Sequence, residues 1–208
     1  MSADEKAIVA AGYDRVADRY AALEAPGSAW PRLRRLTELL ARLPEGSHVL
    51  DVGCGNGLPG LAAIAERHRA TGIDVSSAQV EAARRNVPTA RVLRQDVRSC
   101  DFPPGSLDAI VALYVVEHLP REEHRALFER FAGWLRPGGF LLFTTEADED
   151  PGRVGEWLDV PMFFSQFAPA ETAALVEKAG FELVAADAEP QLEGNQEVTY
   201  AWFLGRRR

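Results

Sequence analysis

Val49-Leu50-Asp51-Val52-Gly53-Cys54-Gly55-Asn56-Gly57 decides how the rest of the chain is read. Val49, Leu50 and Val52 make a short apolar run of strand character, interrupted by an acid near its end. Gly53, Gly55 and Gly57 then give a backbone with no side chains in the way. Pro59 suits the first turn of a following helix, where its missing N–H would be unpaired anyway. Strand, glycine turn and helix in succession are how an open α/β sheet builds a nucleotide site.

The glycines do not say which nucleotide. Gly55-Asn56-Gly57-Leu58-Pro59-Gly60 also fits the dinucleotide pattern G-x-G-x-x-G, so NAD is allowed by them. Asp51 separates the candidates by charge. A dinucleotide places an anionic pyrophosphate over such a turn, and a carboxylate beside it would repel that group. S-adenosylmethionine (SAM) has no phosphate and carries an ammonium and a sulfonium, which suit Asp51. The segment meets the pattern D/E-x-G-x-G-x-G at every position. It resembles motif I of the class I SAM-dependent methyltransferases, of the small-molecule type that includes the ubiquinone and menaquinone methyltransferase-like group.

Two further acids extend the site. Thr71-Gly72-Ile73-Asp74-Val75-Ser76 reads as a strand ending in an acid, with Ser76 as N-cap of a helix over 77–86. Asp74 follows the glycine turn by the roughly 20 residues expected of a ribose-binding acid. A third strand, 90–93, leads to Gln95-Asp96-Val97. The resemblance implies that Asp96 meets the adenine amino group and that the backbone of Val97 reaches the ring. With Cys54, Asn56 and Val75 counted as neighbours in these turns, the cofactor set is Asp51, Gly53–Gly57, Asp74, Val75, Asp96 and Val97. The resemblance adds Leu113, whose backbone would touch the methionine part, and Tyr20.

Tyr13-Asp14-Arg15-Val16-Ala17-Asp18-Arg19-Tyr20 lies on a helix predicted over 6–23 and resembles the family's lid segment, Y-D-x-x-A-x-x-Y. Ala25-Pro26-Gly27-Ser28 breaks that helix. A second helix from Pro31 to about Arg42 presents Leu33, Leu36, Leu40 and Leu43 to the core. The run Leu107–Pro120 resembles motif IV, a strand that ends near the reaction centre. It carries Glu117-His118, the obvious acid–base pair of the chain. A histidine near its ordinary pKa of about 6.5 can take a proton from a nucleophile. His118 is therefore the candidate base, Tyr13 the second candidate, and Glu117 is read as structural.

Residues 146–168 begin as an acidic, loop-like stretch and continue as an aromatic one, Trp157 to Phe167. Lying beyond the fifth strand, they fall near the carboxyl ends of the strands, where ligands bind. They read as a substrate cap with Trp157, Met162 and Phe164 as walls, Ser165 or Gln166 as polar handles, and Glu146 facing a cationic or hydroxylated group. A helix over 169–179 and two closing strands complete the chain. The expected fold is a Rossmann-like α/β/α sandwich. Its seven-stranded, mostly parallel sheet has order 3-2-1-4-5-7-6 from the resemblance, with the last strand antiparallel. Residues 1–208 are read as one methyltransferase domain, with N-terminal lid helices over 6–43 and the cap insert over 146–168.

At 208 residues, 47% hydrophobic and 26% charged, the chain suits one sizeable core. A net charge of −8 argues against nucleic acid as substrate. The Arg206-Arg207-Arg208 tail reads as a solvated terminus. Cys54 and Cys100, the two cysteines, suggest neither disulfide nor metal site. No signal peptide or membrane span is expected, which makes the cytoplasm the default. The expected reaction is in-line transfer of the SAM methyl to an O, N or C nucleophile of a small, partly apolar molecule, as in secondary metabolism. The alternatives are a SAM-binding enzyme of another reaction, such as a cyclisation, and a non-catalytic nucleoside-binding module.

Overall fold

The computed structural model describes residues 3–23, 31–193 and 196–208. The expected helix break at 25–28 lies outside the described residues. Two helices, α1 (Ala3–Leu23) and α2 (Arg32–Leu40), lead into β1 (His48–Val52), α3 (Gly60–Ala65), β2 (Arg69–Asp74), α4 (Ser77–Asn86) and β3 (Arg91–Arg94). Then come β4 (Leu107–Ala112), a 3₁₀ turn at Val116–His118, α5 (Arg121–Trp134) and β5 (Leu135–Glu146). The chain closes with β6 (Asp150–Trp157), β7 (Val160–Gln166), α6 (Pro169–Lys178), β8 (Phe181–Glu193) and β9 (Gln196–Arg207).

The main sheet has the order β3-β2-β1-β4-β5-β9-β8, which is the expected 3-2-1-4-5-7-6 once the β6–β7 pair is set aside. β1 pairs in parallel with β2 and β4, β2 with β3, and β4 with β5, while β9 runs antiparallel between β5 and β8. Alternation along β1 sends Val49 and Leu50, both fully buried, to opposite faces. Leu50 joins Ile110, Phe128, Phe131 and Phe143 under α5. Val49 joins Leu36, Leu61, Ile64 and Val80 under α2, α3 and α4. The strand order reverses at β1 and β4, so the carboxyl ends of β1, β2, β3 and β4 open on one shared crevice.

Three details differ from the sequence expectation. The buried residues of α2 are Leu36 and Leu39, with Leu43 buried just past its end and Leu40 partly buried against the same cluster, while Leu33 is 46% exposed because the helix turns it away from the core. The stretch expected to start as a loop is a hairpin, β6 against β7. Its turn residues Leu158 and Asp159 both have positive φ, 49° and 56°, as a type I′ turn requires. The Arg206–Arg208 tail is not free: Arg206 and Arg207 lie in β9, and Arg207 donates to the Leu135 carbonyl. The hairpin packs on α1, where Val9 meets Met162, Phe163 and Phe164, and where Val16 and Tyr20 meet Val160. Among the described residues no helix is long and apolar enough to cross a membrane.

Candidate active site

The crevice holds a cavity of about 750 Å³, counted with its open mouth. Its floor is Gly53, Gly55, Asp74, Val75, Asp96, Val97 and Leu113, and its roof is Tyr13 and Tyr20 of α1. Gly53 has φ +65°, and a Cβ there would stand 2.2 Å from the Val115 methyl. Only glycine lets the turn pass at this point. Asp74 is fixed by its own loop: Gly55 N–H donates to Oδ2 and Ser76 N–H to Oδ1, each at 2.9 Å. Burial raises its pKa to about 6 despite those donors. Asp96 behaves oppositely. Burial raises it, but Arg98 at 2.6 Å and Lys6 at 2.9 Å outweigh that and bring it to about 2.

The glycine turn divides its labour. Asn56 accepts from Leu58 N–H on one side and Asn86 on the other, and Gly57 packs on Ala83 and Val87, so neither lines the cavity. Cys54 is 7% exposed, and burial, then Asp51 and Asp74, push its thiol well up, so it stays protonated. Asp51 opens instead onto an adjoining cavity of about 280 Å³ that it shares with Gly53, Leu113 and Arg32. Arg32 was missed by the sequence reading. It lies at the start of α2, donates to the Tyr20 hydroxyl at 2.8 Å and stands 4.6 Å above the Tyr114 ring. One arginine among several in that helix gave no signal of its own.

Tyr13 and His118 meet, although 105 residues separate them. The Tyr13 hydroxyl is 2.9 Å from His118 Nε2, and His118 Nδ1 is 2.8 Å from the Phe163 carbonyl. A carbonyl only accepts, so Nδ1 carries the proton and the Nε2 lone pair accepts from Tyr13. Burial lowers the His118 pKa to about 4, partly offset by Phe163, and the ring is neutral at pH 7. Glu117 is 1% exposed, its Oε2 has no hydrogen-bond partner, and burial pushes it well above the usual carboxylate range. It is buried, as a structural reading expects, yet it is not satisfied.

The cap residues are split. Trp157 packs on Tyr13 and Tyr20, with ring centroids 5.6 and 5.5 Å away, and Phe164 lies 5.2 Å from His118. Trp157, Phe164 and Glu146 line a second cavity beyond this aromatic layer. Met162 is fully buried under Gly12 of α1 and lines neither cavity, because β7 turns it inward. Gln166 is 1% exposed and is held behind the wall by Glu146 and the Asp148 carbonyl. Ser165 accepts from Arg121 N–H at the start of α5. Among the described residues no cluster of His, Cys, Asp or Glu is placed to hold a metal ion.

Residues 49–139, which span the glycine turn and all three strand-end acids, match the family described as a methyltransferase domain. This segment carries a methyltransferase domain of the class I SAM-dependent type. It is 34% identical over 163 residues to 27-O-demethylrifamycin SV methyltransferase of Amycolatopsis mediterranei, covering 74% of this chain and 55% of that protein. It is 38% identical over 115 residues to trans-aconitate 2-methyltransferase of Paracidovorax citrulli, covering 53% and 44%. The chain thus spans about half the length of these curated relatives. Its fold matches magnesium protoporphyrin IX methyltransferase from Synechocystis PCC 6803 with bound SAH, at a TM-score of 0.75, 18% identity and coverage of 99% and 100%. It also matches the cyclase SpnF, at 0.72, 21% identity and 95% of both chains, so this methyltransferase fold does not by itself fix the reaction.

Proposed function

We propose that this methyltransferase-family protein transfers a methyl group from SAM to an O, N or C nucleophile of a small, partly apolar molecule. The observation that carries the reading is the convergence of Gly53, Asp74, Asp96 and the Tyr13–His118 pair on one cavity. The residues fit SAM part by part. Asp74 accepts from the ribose hydroxyls, Asp96 and Val97 face the adenine, and Gly53 keeps the floor free of a Cβ. In the adjoining cavity, Asp51 takes the ammonium and Arg32 the carboxylate of the methionine end.

SAM supplies an electrophilic methyl on a sulfonium that is already a good leaving group. The chain supplies alignment, worth up to roughly 7–11 kcal/mol in favourable cases. α1 acts as the lid and the β6–β7 hairpin as the cap, and together they exclude water. Where the nucleophile must lose a proton, the Tyr13 oxygen receives it as the Tyr13 proton moves to His118 Nε2. The Phe163 carbonyl then steadies the Nδ1–H of the charged ring.

The test is calorimetric titration of SAM followed by detection of S-adenosylhomocysteine (SAH) release with panels of phenols, carboxylic acids and amines. Release with one class and not with buffer is the expected result. A SAM-binding protein that converts an acceptor without releasing SAH would overturn methyl transfer in favour of a cyclisation-type reaction. His118→Ala is expected to lower kcat by more than about tenfold while SAM affinity stays near wild type. Full turnover in that variant would remove the base role.

A further inference from the structure

Beyond the aromatic layer lies the second cavity, about 1730 Å³ with its open mouth, between the β6–β7 hairpin and the β8–β9 end. Its described lining sets six carboxylates, Glu146, Asp148, Glu156, Asp159, Glu193 and Glu197, against one guanidinium, Arg153. At the rim Asp159 is paired with Arg19 and is solvated. The inner wall is different. Glu193 is held rigidly: Tyr200 and Gln191 donate to Oε1 at 3.0 and 2.9 Å, and Trp157 Nε1 donates to Oε2 at 3.2 Å. Glu146 accepts from Gln166 Nε2 at 3.4 Å and stands 3.7 Å from Arg153.

Two buried side-chain oxygens near this wall have no hydrogen-bond partner. One is Glu117 Oε2; the charges acting on that carboxyl are Glu146 and Glu193 of the cavity wall, and Arg32. The other is Gln166 Oε1, whose amide is fixed because its nitrogen already donates to Glu146 and to the Asp148 carbonyl. Turning the amide would set oxygen against oxygen. Gln166, bonded to two residues of the wall, thus leaves an acceptor without a donor, and Glu146 and Glu193 act together to raise the Glu117 carboxyl, an excess of negative charge and acceptors that a donor-rich cation would offset. Among the described residues no acid cluster is placed to hold a metal, which favours an organic cation. The aromatic wall suits one as well: the Arg153 guanidinium already lies 4.7 Å over the Phe164 ring.

We propose that this cavity docks an ammonium group of the methyl acceptor on Glu146 and Glu193, with the acceptor's apolar part laid along Trp157 and Phe164. The ammonium is an anchor, separate from the atom that receives the methyl. The name methyl acceptor rests on the methyl-transfer reading; the binding of an amine does not. The two cavities are one aromatic layer apart, since Trp157 touches Tyr13 and Phe164 touches His118.

Phenethylamine, protonated at neutral pH, and phenethyl alcohol, its neutral counterpart, are titrated calorimetrically into the full chain with and without SAH. The amine should bind at least about tenfold more tightly than the alcohol. Replacing Glu146→Gln and Glu193→Gln together should erase that preference while SAH affinity and Tm hold. Equal affinities in the wild type, or a preference that survives both replacements, would overturn the proposal. If the double variant does not fold, Trp157→Phe serves instead, because it frees Glu193 Oε2 from its donor and should change the preference without removing a charge. Amine preference without any SAH binding would support the docking site and sink methyl transfer; SAH binding without amine preference would do the reverse.

Discussion

Asp74 is held ready by two backbone donors and sits near its titration point, with a pKa of about 6. A ribose hydroxyl donates more strongly to its ionised form than to the neutral acid. SAH affinity should therefore weaken as pH falls below about 6, and calorimetry between pH 5 and 8 checks this. Asp74→Asn should cost at least about tenfold in affinity and flatten the dependence, since a hydrogen bond to a charged group contributes roughly 1.5–3 kcal/mol. Gly53 is the second decisive residue. A Cβ 2.2 Å from Val115, on a backbone at φ +65°, forces the turn or the Val115 side chain to move. Gly53→Ala should destabilise the chain by about 1–3 kcal/mol, read by denaturant unfolding, and should abolish SAH binding. The glycine itself was legible in the sequence; that Val115 is what it must clear was not.

At the scale of elements, α1 is fastened to the sheet by polar contacts at both ends of the cavity. Lys6 reaches Asp96 at 2.9 Å. Asp14 accepts from Ser76 Oγ at 2.6 Å and Ala78 N–H at 3.1 Å, beside the first turn of α4. Burial raises the Asp14 pKa, but these donors outweigh it and the net shift is downward. Asp14→Ala should speed hydrogen exchange of the α1 amides by about tenfold while the amides of β1 and β4 stay protected. Equal protection of α1 in the variant would show that apolar packing alone holds the helix. The β6–β7 hairpin is the element sequence reading could not see. Its turn carries Leu158-Asp159 where a glycine or asparagine would have announced positive φ, and β7 is nearly all apolar because α1 covers it.

At the scale of the molecule, the core is legible from periodicity alone: β1 alternates between two layers, and α5 buries Leu127, Phe128 and Phe131. His124, on the same helix, is fully buried and neutral, with a pKa lowered to about 4 by burial. Its folded pKa lies below the unfolded value of about 6.5, so the unfolded chain binds more protons between them. The histidine's contribution is complete above about pH 6.5 and is lost as pH falls toward 4. Asp74, with its raised pKa, acts in the opposite direction over its own range. The measurement is therefore a comparison. His124→Gln should lose less stability than wild type between pH 6.5 and 4 in urea unfolding, whatever its stability at pH 7. Parallel curves would show that another group carries the acid limb.

The sequence by itself determined the sheet, its strand order through the family resemblance, and the three acids at strand ends, because period-two burial and turn chemistry are local and repeat along the chain. The tertiary structure alone decided which groups converge. Arg32 beside Asp51, Tyr13 on His118 across 105 residues, and Glu193 beside Glu146 arise where α1, α2 and the hairpin pack over the sheet. Local patterns record how deeply a residue is buried, and they carry no information about which distant side chain it is buried against.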